Sequence, residues 1–249
     1  MARRLKLYVL PASHPCAAVE AALALKAIDF QRVELLPIVP VLIGPLLWGG
    51  NTVPGMRENG ARLLGSRTIM RRLDEIVAQP PLLPAAGDPS REKVLEAERW
   101  GDEVFQSVPR RLIYAAFLRR PRAMESYATE AKLPLSPVLL RPAMPLTARL
   151  GALKNQSNDE AARADIAGLP GQLARIDGWI EEGIIGGEQP NAADLQIGAT
   201  VCLLMTIGDV RPLVEDRPAS RLVRYFPPMV GSVDAGALPA EWLAQPARA

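Results

Sequence analysis

The chain has 249 residues, with 29 basic side chains against 27 acidic ones and a formal net charge of +2. At about one domain per 150 residues that length suggests one or two domains, enough to bury a core without disulfides or a metal. Apolar residues at 49% and charged residues at 22% exclude intrinsic disorder, and the balance of charge gives no electrostatic reason to expect nucleic acid or an anionic membrane.

Two cysteines, Cys16 and Cys202, make no disulfide framework and point to a reducing compartment. His14 is the only histidine, which argues against a four-ligand zinc site, so no metal is expected. The same count leaves no Ser-His-Asp machinery unless His14 is its base. The basic amino terminus is followed by an apolar run of only about six residues, too short for a signal peptide. Residues 35–50 are strongly apolar but broken by Pro37, Pro40 and Pro45, and they fall short of the ~20 residues a bilayer demands. A cytoplasmic protein is expected.

In chain order, residues 5–10 (LKLYVL) read as a buried strand ending at Pro11. Ser13 then offers a helix N-cap to AAVEAALALKAI, which has helical apolar spacing. Residues 30–36 alternate as a second strand, completing a βαβ unit. VPGMRENGARLLG reads as a hairpin turning at Asn59-Gly60, which suit the positive φ angles of a type I′ turn. Ser66 caps the next helix, with Ile69, Leu73 and Ile76 on one face. A four-proline segment, QPPLLPAAGDPS, follows as a stiff linker. Everything after it reads as helical: a long periodic segment with a kink or break marked by Pro109, then helices over 158–182 and 191–207. The predicted fold class is an α/β N-terminal domain of order βαβ–ββα (1–79), a linker (80–89) and an all-α C-terminal domain (90–249).

Four short motifs carry candidate chemistry, each with a plainer alternative. Ser13-His14-Pro15-Cys16 lies where the first strand meets the first helix. The unpaired N–H groups and partial positive charge there favour a thiolate, to which Ser13 can donate its hydroxyl; alternatively Ser13 only caps the helix, Cys16 is a small core residue and His14 a solvated loop residue. Val53-Pro54 precedes the hairpin strand, where a proline belongs at an edge or in a cis bond; a cis bond would leave the Val53 backbone free to pair with a peptide-like ligand. Gly65-Ser66 opens a helix and suits either a carboxylate or phosphate or simple capping. Asn191 with Asp194 reads as a capping box that nucleates a buried helix, and Cys202 within that helix reads as inert core. Trp48, Trp100, Phe105, Tyr114 and Phe117 line either an apolar pocket or the core.

Taken together, these segments resemble the glutathione S-transferase family. LYVLPASHPCAAVEAALALKAIDFQRVELL resembles its strand–helix–strand opening, TVPGMRENGARLLGSRTIMRRLDE its Val-Pro, hairpin, serine and Leu-Asp-Glu segment, and GWIEEGIIGGEQPNAADLQIGA its C-terminal helix, glycine-rich loop and capping box. The resemblance implies a thioredoxin-like domain that binds glutathione as co-substrate, a helical domain that shapes the pocket for a small electrophile, and a homodimer. Ser13 falls where serine-type members face the glutathione sulfur. Val53, ahead of the family's cis-proline at Pro54, would pair with the cysteinyl backbone, and Ser66 would hold the γ-glutamyl carboxylate. Three departures stand out: Gly65 replaces the usual acidic residue or Gln, His14 a frequent proline, and the apolar 37–50 segment a polar one. Tyr8 lies three residues before Pro11, one more than in tyrosine-type members, so strand alternation points it to the opposite face. The implied activity is a transferase that attacks an electrophile with a bound thiolate. A thiol–disulfide oxidoreductase using Cys16, and a binding protein that kept the fold without catalysis, are the alternatives, with His14 and Cys16 as possible accessory residues.

Overall fold

The computed structural model describes residues 4–37, 39–132 and 136–243; the ends of the predicted domains at 1–3 and 244–249 lie outside the described residues. Strand β1 (Leu5–Val9) and helix α1 (His14–Leu25) open the chain, followed by β2 (Gln31–Glu34), α2 (Val39–Leu47), the hairpin β3 (Gly55–Glu58) and β4 (Ala61–Leu64), and α3 (Ser66–Ile76). The sheet order is β2-β1-β3-β4, with β1 parallel to β2 and antiparallel to β3. Asn59 and Gly60 both take positive φ, as expected at the turn.

Alternation along β1 builds two layers. Leu5, Leu7 and Val9 face the main core with α1 and α3, whereas Tyr8 points to the other face and stacks on Trp48 at 4.8 Å between ring centres. That second face is covered by α2, an element absent from the βαβ–ββα reading. Its prolines suggested a broken segment, but Pro40 sits in the first turn, where its missing N–H costs nothing. Pro45, inside the helix, is tolerated close to its end.

The remainder is helical. Helices α4 (Arg91–Trp100) and α5 (Ser107–Arg119) are joined by a π-helical turn at Gly101–Phe105. Pro109 lies in the first turn of α5, so the break it announces falls just upstream of it, at Gln106, rather than at the proline itself. A 3₁₀ segment (Pro121–Ala128) leads through α6 (Pro137–Leu140) and α7 (Met144–Lys154), helices outside the sequence reading, to α8 (Asp159–Glu181), α9 (Ala192–Met205) and α10 (Ala240–Leu243). Helix α9 is buried along almost its whole length and contacts α1, α4 and the π turn. Its start is the expected capping box: the Asn191 side chain accepts from the Asp194 N–H, and the Asp194 carboxylate accepts from the Asn191 N–H. A Cβ at Gly101 would lie 2.8 Å from Ile197 Cγ1, so the absence of a side chain lets the π turn approach α9. Among the described residues, no helix is long and apolar enough to cross a membrane.

The four-proline segment is anchored rather than free. Leu82 is buried, its N–H donates to Asp74 Oδ1 at 2.9 Å, and its carbonyl accepts from the Ala192 N–H at 2.7 Å. The fully buried ammonium of Lys26 donates to the carbonyls of Val77 (2.6 Å) and Pro80 (2.7 Å) and pairs with Asp74 at 2.7 Å. Removing one partner of such a pair strands the others without a hydrogen bond. Lys26→Met is therefore expected to lower unfolding stability by about 3 kcal/mol in urea denaturation, and a loss below about 1 kcal/mol would show that solvent or rearrangement satisfies these groups.

Candidate functional site

The sheet register brings three of the four motifs to one edge. Tyr8 pairs with Gly55 and Gly55 with Leu64, so the end of β1, the start of β3 and the end of β4 lie side by side. Ser13, Val53-Pro54 and the start of α3 extend from those three strand ends, and the Gly65 N–H donates to the Pro54 carbonyl at 3.0 Å. The Val53–Pro54 bond is cis. Among the described residues the Val53 N–H and carbonyl have no hydrogen-bond partner, leaving both free for a peptide-like ligand.

Ser13 occupies the N-cap position of α1 in extended conformation, but its side chain makes no capping bond. It is half-buried and sits against the Cys16 sulfur, where it acts to lower the thiol pKa. Burial outweighs that influence and pushes Cys16 up to about 12. Cys16 is thus a sealed, protonated thiol, which removes support for Cys16 as a redox nucleophile. Cys202, also pushed up to about 12 by burial, is core.

His14 departs from the solvated position offered by the sequence. It is 2% exposed at the first position of α1. Burial, and then the Arg110 guanidinium, hold its imidazole well below the ordinary value, against the Gln106 backbone, which favours the charged form. His14 is neutral, and its Nε2 is sealed from solvent with no hydrogen-bond partner among the described residues, so it is not poised as a base.

Ser66 is the first residue of α3 rather than its cap. Gly65, at φ 87°, takes the N-cap position; that left-handed backbone favours glycine. The Ser66 hydroxyl, expected on a ligand carboxylate, is buried and donates to Gln196 Oε1 on α9 at 2.7 Å. The first three N–H groups of α3, from Ser66, Arg67 and Thr68, have no acceptor among the described residues, as expected at a helix start. They open on a cavity of about 360 Å³ lined by Gly65, Ser66, Arg67, Thr68, Arg71 and Asp102.

Both signs of charge meet in that cavity. Arg71 forms a two-pronged pair with the fully buried Glu98, one bond measuring 3.0 Å. Arg67 lies 3.1 Å from Glu103 and 3.9 Å from Asp102, and its buried Nε has no hydrogen-bond partner among the described residues. Burial raises the Asp102 carboxyl while Arg67 and Arg110 hold it down. Asp102 also accepts from the Gln106 amide at 2.8 Å and the Gln196 amide at 3.4 Å. Arg67, Asp102 and Gln196 escaped the sequence reading because they converge from three separate helical elements with no shared motif. Only Asn191-Asp194, which sets where α9 begins, hinted at Gln196.

The aromatic residues divide. Trp48 and Phe105 are fully enclosed, Phe117 is buried, and Trp100 stacks on Phe105 at 5.1 Å, so these four are core. Tyr114, half-buried on α5, stays at the junction, its ring so close to α7 that a Cβ at Gly151 would lie 2.0 Å from it. Tyr8 is locked against Trp48 on the far face, as alternation required.

Residues 7–81 match the glutathione S-transferase N-terminal domain model. None of the curated proteins matches the sequence. Among solved structures, a glutathione S-transferase from Rhodospirillum rubrum F11 is similar at 20% identity, covering 96% of this chain and 98% of that one, with a TM-score of 0.60. Glutathione transferase F7 from Populus trichocarpa is 15% identical over 97% of this chain and 100% of that one, TM-score 0.60. A maleylacetoacetate isomerase from Anaeromyxobacter dehalogenans 2CP-1, solved with glutathione bound in its active site, is 20% identical over 90% of this chain and 88% of that one, TM-score 0.52. At such identities the structures establish the fold alone, a thioredoxin-like sheet followed by a helical remainder, and the family match extends over the N-terminal domain, residues 7–81.

Proposed function

We propose that the protein is a glutathione-dependent transferase, with residues 1–79 binding the thiol and residues 90–249 shaping the pocket for a small electrophile, and that it works as a homodimer. The observation that carries this reading is the convergence of Ser13, the free Val53 backbone and the unpaired N–H groups of α3 at one sheet edge. In this reading the γ-glutamyl carboxylate lies on the N–H groups of Ser66, Arg67 and Thr68, with the Arg67 guanidinium beside it. Asp102 takes the ammonium group, a role that Gly65 leaves open. Val53 pairs with the cysteinyl backbone, and the sulfur faces Ser13. Ser66 contributes its backbone, since its hydroxyl is engaged by Gln196.

The chemistry then follows from the thiol. At a free pKa of about 8.5 only a few per cent is ionised at pH 7, and a lowering of about 2 units makes the thiolate the majority form, a difference of roughly 2.7 kcal/mol. A hydroxyl donating to the anion contributes about 1.5–3 kcal/mol, and the α1 N-terminus about 0.3–1 kcal/mol. The thiol proton leaves to solvent, Ser13 donates to the sulfur, and the sulfur lone pair forms a bond to the electrophilic carbon. A leaving group departs with its bonding pair; on an activated alkene the neighbouring carbon takes up a proton instead. His14, neutral and sealed, has no part in these steps.

Ser13→Ala is expected to keep glutathione binding in calorimetry and to lower turnover of 1-chloro-2,4-dinitrobenzene by more than about tenfold. The apparent pKa of kcat/KM should move up toward that of the free thiol; unchanged turnover and an unchanged pH profile would contradict the role of Ser13. The engagement of Ser66 by Gln196 favours one second reading, a glutathione-fold binding protein without catalysis, which wild-type protein that binds glutathione yet turns over no electrophile would establish. Cys16 is expected to resist iodoacetamide at about pH 8 in the folded protein and to react once urea unfolds it; rapid native alkylation, read by peptide mass, would restore the redox alternative.

A further inference from the structure

Helix α2 reverses the usual pattern of a surface helix. Its small residues Pro40 and Gly44 are buried, while Val41, Leu42, Ile43 and Leu46 face outward, Leu42 at 69% exposure and Leu46 at 70%. A Cβ at Gly44 would lie 2.7 Å from Trp48 Cζ2, so the inward side has no room for a larger residue. A helix at a boundary with water ordinarily turns its large apolar residues inward, and a contiguous exposed apolar patch marks a surface that meets a partner or a membrane. Residues 35–56 contain no charged side chain.

The strand register places charge beside that helix. Alternation along β1 puts Lys6 on the face of Tyr8, the face on which Tyr8, Trp48 and Leu64 pack together. Lys6 pairs directly with Arg57 on β3, and Arg57 with Arg62 on β4, two residues before Leu64. Three cations therefore stand in one row across adjacent strands, about 4.8 Å from one strand to the next. Lys6 and Arg62 are exposed and Arg57 half-buried, and none of the three has a hydrogen bond or ion pair from its side chain among the described residues. Like charges directly opposite destabilise a sheet, and this row has no internal counter-charge. The neighbouring carboxylate, Glu58, alternates to the opposite face and pairs with Arg72 at 2.6 Å.

A second apolar segment adjoins the first. The Lys132 N–H donates to the Glu34 carboxylate ahead of α2, and the Lys154 ammonium donates to the Asn51 carbonyl beyond it at 3.4 Å. The α6–α7 segment is thus tied to the α2 segment at both ends. Residues 131–158 contain Lys132, Arg141, Arg149 and Lys154 but no acidic residue, and α7 exposes Leu146, Leu150 and Leu153 at the spacing of one helix face.

We propose that the α2 face of the sheet docks on an anionic lipid bilayer, with the outward side chains of α2 entering the boundary between headgroups and acyl chains and Lys6, Arg57 and Arg62 meeting the charged headgroups. An anionic bilayer offers both an apolar phase for the leucines and a field of negative charge for the unpaired cations. The near-zero net charge of the whole chain conceals this surface, because it averages over faces that carry opposite signs. The docking is peripheral, and it does not depend on what the sheet edge binds.

The test is flotation of the full chain with two kinds of vesicle, phosphatidylcholine alone and phosphatidylcholine with an equal part of phosphatidylglycerol. The wild-type protein is expected to float with the mixed vesicles and not with the neutral ones, and to be released as salt screens the headgroups. Replacing Lys6, Arg57 and Arg62 together by Gln should lower partitioning by about tenfold or more, and Leu42→Ser with Leu46→Ser by a similar factor. The wild-type comparison between vesicles, and its salt dependence, stands without either variant. Folded wild-type protein that floats with neither vesicle, or equally with both, overturns the proposal, as does binding that survives both sets of substitutions. A wild-type dimer in sedimentation velocity that Leu42→Ser with Leu46→Ser converts to a monomer also overturns it, by assigning this face to a second copy of the chain.

Discussion

A chain of hydrogen bonds, buried at Ser66 and Gln196 and part-buried beyond them, runs from Ser66 through Gln196 and Asp102 to Gln106 and joins the sheet layer to the helical layer. Polar groups in such a junction are costly when unpaired and directional when paired, so this chain sets where the start of α3 sits relative to α9 and the π turn. The consequence for function is a division of labour within Ser66. Its hydroxyl belongs to the junction, while its backbone N–H remains with those of Arg67 and Thr68 at the cavity edge.

The same junction explains why Asp102 carries so much of the site. The π turn at Gly101–Phe105 inserts an extra residue into what would be one long helix, and Gly101 permits the close approach to Ile197. Asp102 is thereby carried between two amides on one side and Arg67 on the other. It is the acidic group at a cavity whose adjacent N–H groups favour an anion, the combination a zwitterionic α-amino acid end requires.

Much of the scaffold was legible because it is local. Alternation in LKLYVL separated Leu7 from Tyr8, Asn59-Gly60 marked the hairpin turn, and Asn191 with Asp194 marked the start of α9, each through a rule that spans only a few residues. The fate of Ser66 was not legible, because a capping serine and a serine bonded to a glutamine 130 positions away look alike in sequence. Helix α2 was missed for a different reason: three prolines outweigh propensity in a window of nine residues, yet packing of Trp48 and Leu47 against Tyr8 and its neighbours decides the outcome. His14 went from an expected loop position to a buried one because its environment is supplied by Arg110 and Gln106, on an element outside its own neighbourhood.

The decisive geometry is where a thiol tripeptide lies at this edge. A crystal structure of the protein with S-methylglutathione is the most direct measurement. The ligand sulfur is expected within hydrogen-bonding distance of Ser13 Oγ, and the γ-glutamyl carboxylate on the backbone N–H groups that open α3. A ligand bound with its sulfur away from Ser13, or with no contact to those N–H groups, would contradict it.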